Sequence, residues 1–172
     1  YNTITGTVIF DLDNDGCDSE DSINPYVKVT ITDGTTTSST FTNDQAVYTN
    51  YVGIGTYTIT PDLENIGFFQ VTPLNSAVTF PNINNNIFQQ DFCVTANGVH
   101  PDLEIVIEPY LPVIPGFMAM YNIVYKNKGN QVQSGQVKLN YQDEVMNFIV
   151  ANPSELSAIN GTITWNFSDI IP

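Results

Sequence analysis

The stretch that decides the fold class is "YVKVTITDGTTTSSTFT", residues 26–42. Val27, Val29 and Ile31 alternate with Lys28, Thr30 and Thr32, the two-residue period of a strand with one dry and one wet face. Asp33-Gly34 then gives a tight hairpin signal, and TSSTFT supplies the return strand. The same pattern continues outward. TITGTVIF (3–10), GTYTITP (55–61), GFFQVTP (67–73), SAVTF (76–80) and NIFQQDFCVTA (86–96) read as strands, with Tyr57 and Ile59 facing inward. So do PDLEIVIEP (101–109), GFMAMYNIVYKNKGN (116–130), SGQVKLNYQ (134–142), VMNFIVA (145–151) and GTITWNFSDI (161–170). No segment keeps a 3.6-residue period over three turns; PSELSAI (153–159) offers one helical turn capped by Ser154. Short strands with turn signals every 8–12 residues predict an all-β chain of consecutive antiparallel sandwiches.

TANGVHP (95–101) is polar, carries Gly and Pro, and follows the last cysteine. It divides the chain into domains 1–96 and 97–172. The second has about five strands where an immunoglobulin-like sandwich has seven. It ends at SDIIP, so the natural chain is expected to continue and this sandwich to be C-terminally incomplete. Its open sheet edge would then need cover from another chain or domain.

The 172 residues carry 18 acids against 4 bases, for a net charge of −14. Nucleic acid and anionic membrane surfaces need a basic patch, so neither is an expected partner. No apolar run is long enough to insert into a membrane, and YNTITGTVIF lacks the layout of a secretion signal, so any such signal is expected to have been removed or to lie outside this sequence. Abundant Thr and Asn, few lysines and no arginine suit an extracellular protein. Two cysteines fit a disulfide or two free thiols.

The acid is concentrated in DLDNDGCDSED (11–21), six carboxylates in eleven residues. Asp11, Asp13 and Asp15 occupy positions 1, 3 and 5 of a D-x-D-x-D-G calcium loop, with Gly16 at position 6 and the Cys17 carbonyl at position 7. Calcium is a hard ion that takes six to eight oxygens. Alternate side chains in a tight loop supply them, and glycine permits the sharp turn. The second half departs from an EF-hand: Ser19 and Ser22 stand where ligands belong. Asp21 is the expected late carboxylate, with Asp18 or Glu20 as alternatives. A solvated acidic turn is the plain alternative, but six crowded carboxylates repel one another unless a cation neutralises them.

ITGTVIFDLDNDGCDSEDSINPYVKVTIT and TSSTFTNDQAVYTNYVGIGTYTITP together resemble the SdrD B-like (prealbumin-like) calcium-binding repeats of bacterial surface proteins, over about residues 4–72 and more loosely to 95. That resemblance implies a non-catalytic, calcium-stiffened sandwich in a stalk or adhesin. PGFMAMYNIVYKNKGN looks like the immunoglobulin-like repeats of the domain-of-unknown-function-11 and CARDB types, with Pro115, Gly116, Tyr121, Ile123, Tyr125, Asn127 and Gly129 matching. A cysteine in the calcium loop and another in DFCV look like Bacteroidota surface proteins exported by the type IX system. In such proteins Asp21-Ser22-Ile23 would be an O-glycosylation signal, on Ser22.

A Cys17–Cys93 disulfide would tie the calcium loop to the last strand of domain 1; free buried thiols are the alternative. Two cysteines and a distant His100 do not make a zinc site, and one histidine in a linker supports no catalytic triad. Phe68, Phe69, Tyr48, Tyr51 and Tyr57 are expected in the core, as is Trp165 between sheets of domain 2. The reading is a secreted or cell-surface structural module, not an enzyme, rigidified by Ca2+ and a disulfide and supporting adhesion. The alternatives are a carbohydrate- or protein-binding module, with exposed aromatics meeting an unknown glycan or protein ligand, and an accessory domain of a larger secreted enzyme.

Overall fold

The computed structural model describes residues 1–172 and divides into two compact units, Tyr1–Val99 and His100–Pro172. Unit 1 contains β1 (Asn2–Asp11), β2 (Ser22–Ile23), β3 (Lys28–Thr32), β4 (Thr37–Phe41), β5 (Val47–Val52), β6 (Gly55–Asp62), β7 (Phe69–Thr72), β8 (Ser76–Phe80), β9 (Ile87–Gln89) and β10 (Phe92–Ala96). Unit 2 contains β11 (Leu103–Pro109), β12 (Tyr121–Asn127), β13 (Gln133–Asn140), β14 (Ser157–Ile159) and β15 (Thr162–Ile170). The chain is all-β, as the strand periodicity predicts. Its one helical element is a 3-10 turn at Ile66–Phe68, and no helix is long and apolar enough to cross a membrane.

Two sheets form unit 1. One has the order β4-β3-β6-β8, all antiparallel. Its β3–β4 turn is the expected Asp33–Thr36 hairpin, where the Asp33 carboxylate accepts the Thr35 and Thr36 N–H groups at 2.8 and 2.7 Å. Those bonds, Thr36 first, hold the Asp33 carboxyl below its ordinary range. The other sheet is built around β1. Ile4, Val8, Phe10, Tyr48, Phe92 and Val94 from this sheet meet Val29, Ile31, Ile59 and Phe80 from the first to form the core. Each such side chain contributes about 1.5–3 kcal/mol when fully buried. The inward set Val27, Val29 and Ile31 is the alternation read from the sequence.

β1 is paired along nearly its whole length on both sides. Antiparallel β5 covers Asn2–Thr7, and β2 covers Ile9–Phe10. On the other side β9 and β10 run parallel to it, with Thr3 opposite Ile87 and Val8 opposite Phe92. The two share one register and are interrupted only at Gln90–Asp91. There the Gln90 backbone crosses over Gly6: a Cβ on Gly6 would stand 1.7 Å from the Gln90 carbonyl oxygen. The Tyr48 hydroxyl donates to that oxygen at 2.6 Å. Asp91 accepts the Thr7 N–H and hydroxyl at 2.7 and 2.9 Å. Burial, then the Asp91 charge, raises the Tyr48 hydroxyl's pKa, so it stays a donor.

Unit 2 holds an antiparallel pair, β11–β12, and a three-stranded sheet ordered β13-β15-β14. Tyr125 and Phe167 bring the two together with ring centroids 5.4 Å apart. Buried Asn127 does the same by donating to the Gln131 and Ile170 carbonyls at 2.7 and 2.9 Å. Gly129 lies where a Cβ would meet the His100 carbonyl oxygen at 2.2 Å, so Asn127 and Gly129 of the Y-x-N-x-G motif have structural work. Val137 and Ile163 are the buried aliphatics here, while Ile105, Val106, Ile107 and Val124 are exposed.

Four local expectations change. VMNFIVA (145–151) is not a strand: Val145, Ile149 and Val150 are exposed and no ladder includes them. PSELSAI contributes no helical turn, because Ser157–Ile159 pairs instead with Thr162–Thr164 as β14. NIFQQDFCVTA is split into β9 and β10 by the crossing over Gly6. Trp165 is only half-buried, its indole N–H donating to the Pro153 carbonyl at 3.1 Å.

Because the Gly6–Gln90 crossing cannot admit a methyl group, Gly6→Ala is expected to cost at least about 3 kcal/mol. Denaturant unfolding should show a lower midpoint, or no soluble protein should be recovered.

Candidate metal centre and its disulfide

β1 ends at Asp11, and the chain returns as β2 at Ser22 to pair with Phe10. The acidic loop is therefore a closed excursion from one strand to its neighbour. Asp11 is 3% exposed. Its carboxylate accepts the Asn14 and Gly16 N–H groups at 2.7 and 3.0 Å and the Thr95 hydroxyl at 3.4 Å. Asn14 and Gly16 both have positive φ, 68° and 108°, which winds the loop tightly. Gly16 has open space around its α-carbon, so glycine is needed there for backbone conformation, not for room.

Asp21 closes the loop from the other side. Its two oxygens accept the Leu12 N–H at 2.9 Å and the Asp18 N–H at 2.8 Å. One oxygen each from Asp11, Asp13 and Asp21 lie within 4.8 Å of one another, and this group could hold a metal ion. An ionised carboxylate has about four lone-pair sites, so the N–H bonds leave each oxygen able to face a cation. The donor set is oxygen only, which suits a hard divalent ion.

The other sequence candidates lie around these three. Asp15 sits against Asp13, outside the group of three. Its carboxyl pKa is raised first by the hydrogen bond to Asp13, then by the charges of Asp13, Asp18 and Asp11. Two carboxyls that close do not both ionise comfortably without a proton or cation. Asp18 turns away, its carboxylate accepting the Glu20 N–H at 2.7 Å. Ser22 is half-buried in β2.

Cys17 and Cys93 form a disulfide, with α-carbons 5.6 Å apart. It joins the middle of the loop to β10, two residues from Thr95. The Cys17 N–H points at the Cys93 sulfur, 3.2 Å away. Such a bond favours an oxidising, non-cytoplasmic compartment. Beside it, Thr7, Ile9, Asp18, Thr72 and Asp91 line a shallow cleft of about 380 Å³.

The aromatics divide. Tyr48 is fully buried, Tyr57 and Phe69 pack against the core, and Phe68 is half-buried in the 3-10 turn. Tyr51 is the exception to the core expectation: it is 63% exposed on the outer face of β5. β5 itself escaped the strand reading, although Val47, Tyr48 and Thr49 carry β-forming side chains.

No protein-family model matches the chain, and no curated protein matches it. Among solved structures it aligns with the Bacillus anthracis TIE protein at 12% identity and a TM-score of 0.44, covering 99% of this chain and 32% of that one. It also aligns with a candidate carbohydrate binding protein from Bacteroides uniformis at 16% identity and a TM-score of 0.34, covering 97% and 79%. The chain thus spans about a third of the Bacillus anthracis structure.

The chain-entropy model gives a 76-residue bridge a stabilisation of about 4 kcal/mol. The double variant Cys17→Ser, Cys93→Ser should lose most of it, read as a lower midpoint in urea. Urea unfolding under reducing conditions should reproduce that loss in the unaltered chain and leave the double variant unchanged.

Proposed function

We propose that this chain is a non-catalytic structural module of an extracellular, cell-surface protein, whose first unit is stiffened by calcium and by its disulfide. The supporting observation is the convergence of Asp11, Asp13 and Asp21 within 4.8 Å at the end of a strand that is paired on both sides. Asp15, through Asp13, and the Cys17 carbonyl are the further oxygens a bound calcium would recruit. Calcium would do no chemistry here. It would neutralise the loop and favour the folded state by binding it preferentially.

The surface role rests on the disulfide, the resemblance to SdrD B-like repeats and the low lysine content. Support of adhesion, as a stalk between a cell envelope and a more distal ligand-binding part, is the biological form of that role. The exposed apolar side chains of β11 and β12 favour contact between unit 2 and another chain or domain.

Calorimetry of the whole chain tests the cation reading. Calcium at about 100 times its Kd would add about 2.7 kcal/mol to unit 1, raising Tm by on the order of 10 °C; EDTA should reverse the shift. Asp13→Ala should abolish the calcium response while leaving the EDTA melting temperature the same or higher, since it removes a repelling charge. An unchanged Tm on adding calcium to metal-stripped protein would sink the proposal.

A further inference from the structure

The outer face of the β5-β1-β9 layer is not that of an inert spacer. Tyr1 and Tyr51 are each 63% exposed, and their rings meet edge to face with centroids 4.8 Å apart. Tyr51 lies directly opposite Thr3, and Thr3 lies opposite Ile87, which is 73% exposed. One rung across three strands therefore presents two large apolar side chains to solvent, on the strands that flank β1. The next rung on the same face is Thr49, Thr5 and Gln89, two hydroxyls and an amide. The Thr5 and Thr49 hydroxyls are 3.2 Å apart, and the Gln89 amide reaches Asp91 at 3.3 Å. Beyond it, Thr7 and Asp91 open the 380 Å³ cleft that Ile9, Thr72 and Asp18 complete.

From Tyr1 to Thr7 this strip is six residues of strand, about 20 Å. It runs from a stacking surface, through hydroxyl and amide groups, to a cleft edged by two carboxylates. We propose that the face binds an extended, uncharged glycan chain. The C–H faces of its sugar rings would lie on the tyrosine pair; its hydroxyls would donate to and accept from Thr49 and Gln89, and would donate to the cleft carboxylates. Charge sets the class of ligand. Unit 1 has a single lysine, Lys28; it lies in the opposite sheet and is ion-paired to Asp62 at 2.8 Å. Asp91 and Asp18 are the charged side chains of the strip, so an anionic polymer would be repelled there. A partner strand cannot add to β1 itself, because both of its sides are already paired. The tyrosine pair and the Thr49–Thr5–Gln89 rung are separate from the cation centre and do not rest on it; only the far end of the cleft, at Asp18, adjoins the acidic loop.

Affinity electrophoresis of the whole chain tests the assignment, with xyloglucan, mixed-linkage β-glucan and galactomannan as neutral probes and polygalacturonate as the anionic one. At least one neutral polysaccharide should retard the protein, and polygalacturonate should not. Tyr51→Ala should weaken binding at least about fivefold. Tyr51→Phe should retain binding, since it keeps the ring, and Gln89→Ala should weaken it. Phe41→Ala, which removes an exposed ring from the other sheet, should have no effect. Retardation by none of the three neutral polymers would overturn the proposal, as would binding that Tyr51→Ala leaves intact. A dimer in light scattering that Tyr51→Ala dissolves would also overturn it, by making the face a contact between copies.

Discussion

The first unit depends on the double-sided pairing of β1. Residues 3–5 and 8–11 lie beside 87–89 and 92–95 in one parallel register, while β5 and β2 close the other side. Parallel pairing of segments so distant in sequence carries a large loop-closure cost. It is held where the two backbones come closest: at Gly6, by Tyr48 from β5 and by Asp91 of the crossing chain, and further along by the Cys17–Cys93 bond. If the register slipped by one residue, Ile4, Val8 and Phe10 would turn to solvent. The same slip would carry Asp11 away from Thr95 and Cys93 away from Cys17.

That register is why the acidic loop has a defined shape in spite of its charge. Its two ends are neighbouring residues of one ladder, Phe10 and Ser22. Its middle is covalently tied to β10. Within it, Asp11 and Asp21 spend part of their acceptor capacity on backbone N–H groups, which fixes their oxygens before any ion arrives. Water would screen six carboxylates on a free peptide. Held in this loop, the neighbouring Asp13 raises the Asp15 carboxyl pKa, so ionising both together is unfavourable and a cation would offset that cost.

The sequence made some of this legible and hid the rest for physical reasons. The Val27-Val29-Ile31 alternation and the Asp33–Thr36 turn are local, and local period is what sequence shows. The same holds for the D-x-D-x-D-G spacing, which placed Asp11 and Asp13 near one point. Pairing is not local. VMNFIVA has the composition of a strand but no partner, and NIFQQDFCVTA could not reveal that a backbone 84 residues away would interrupt it at Gln90–Asp91. The core assignment of aromatics failed at Tyr51 because the strand carrying it had not been recognised. Once β5 is placed on β1, the alternation from buried Tyr48 puts Tyr51 outside.

Asp11 shows how cation binding and folding become one equilibrium. A carboxylate this buried is tolerated only when its lone pairs are satisfied. Here the donors come from the loop itself, through Asn14 and Gly16, and from β10, through Thr95. The loop donors exist only when the tight turn at Gly16 is wound. The β10 donor exists only when the parallel register is made. An ion held by Asp11 would therefore bind neither the unfolded chain nor a sandwich with its register lost. Its binding energy would appear as stability of the entire β1-centred sheet, including the outer face that carries Tyr51, rather than of the loop alone.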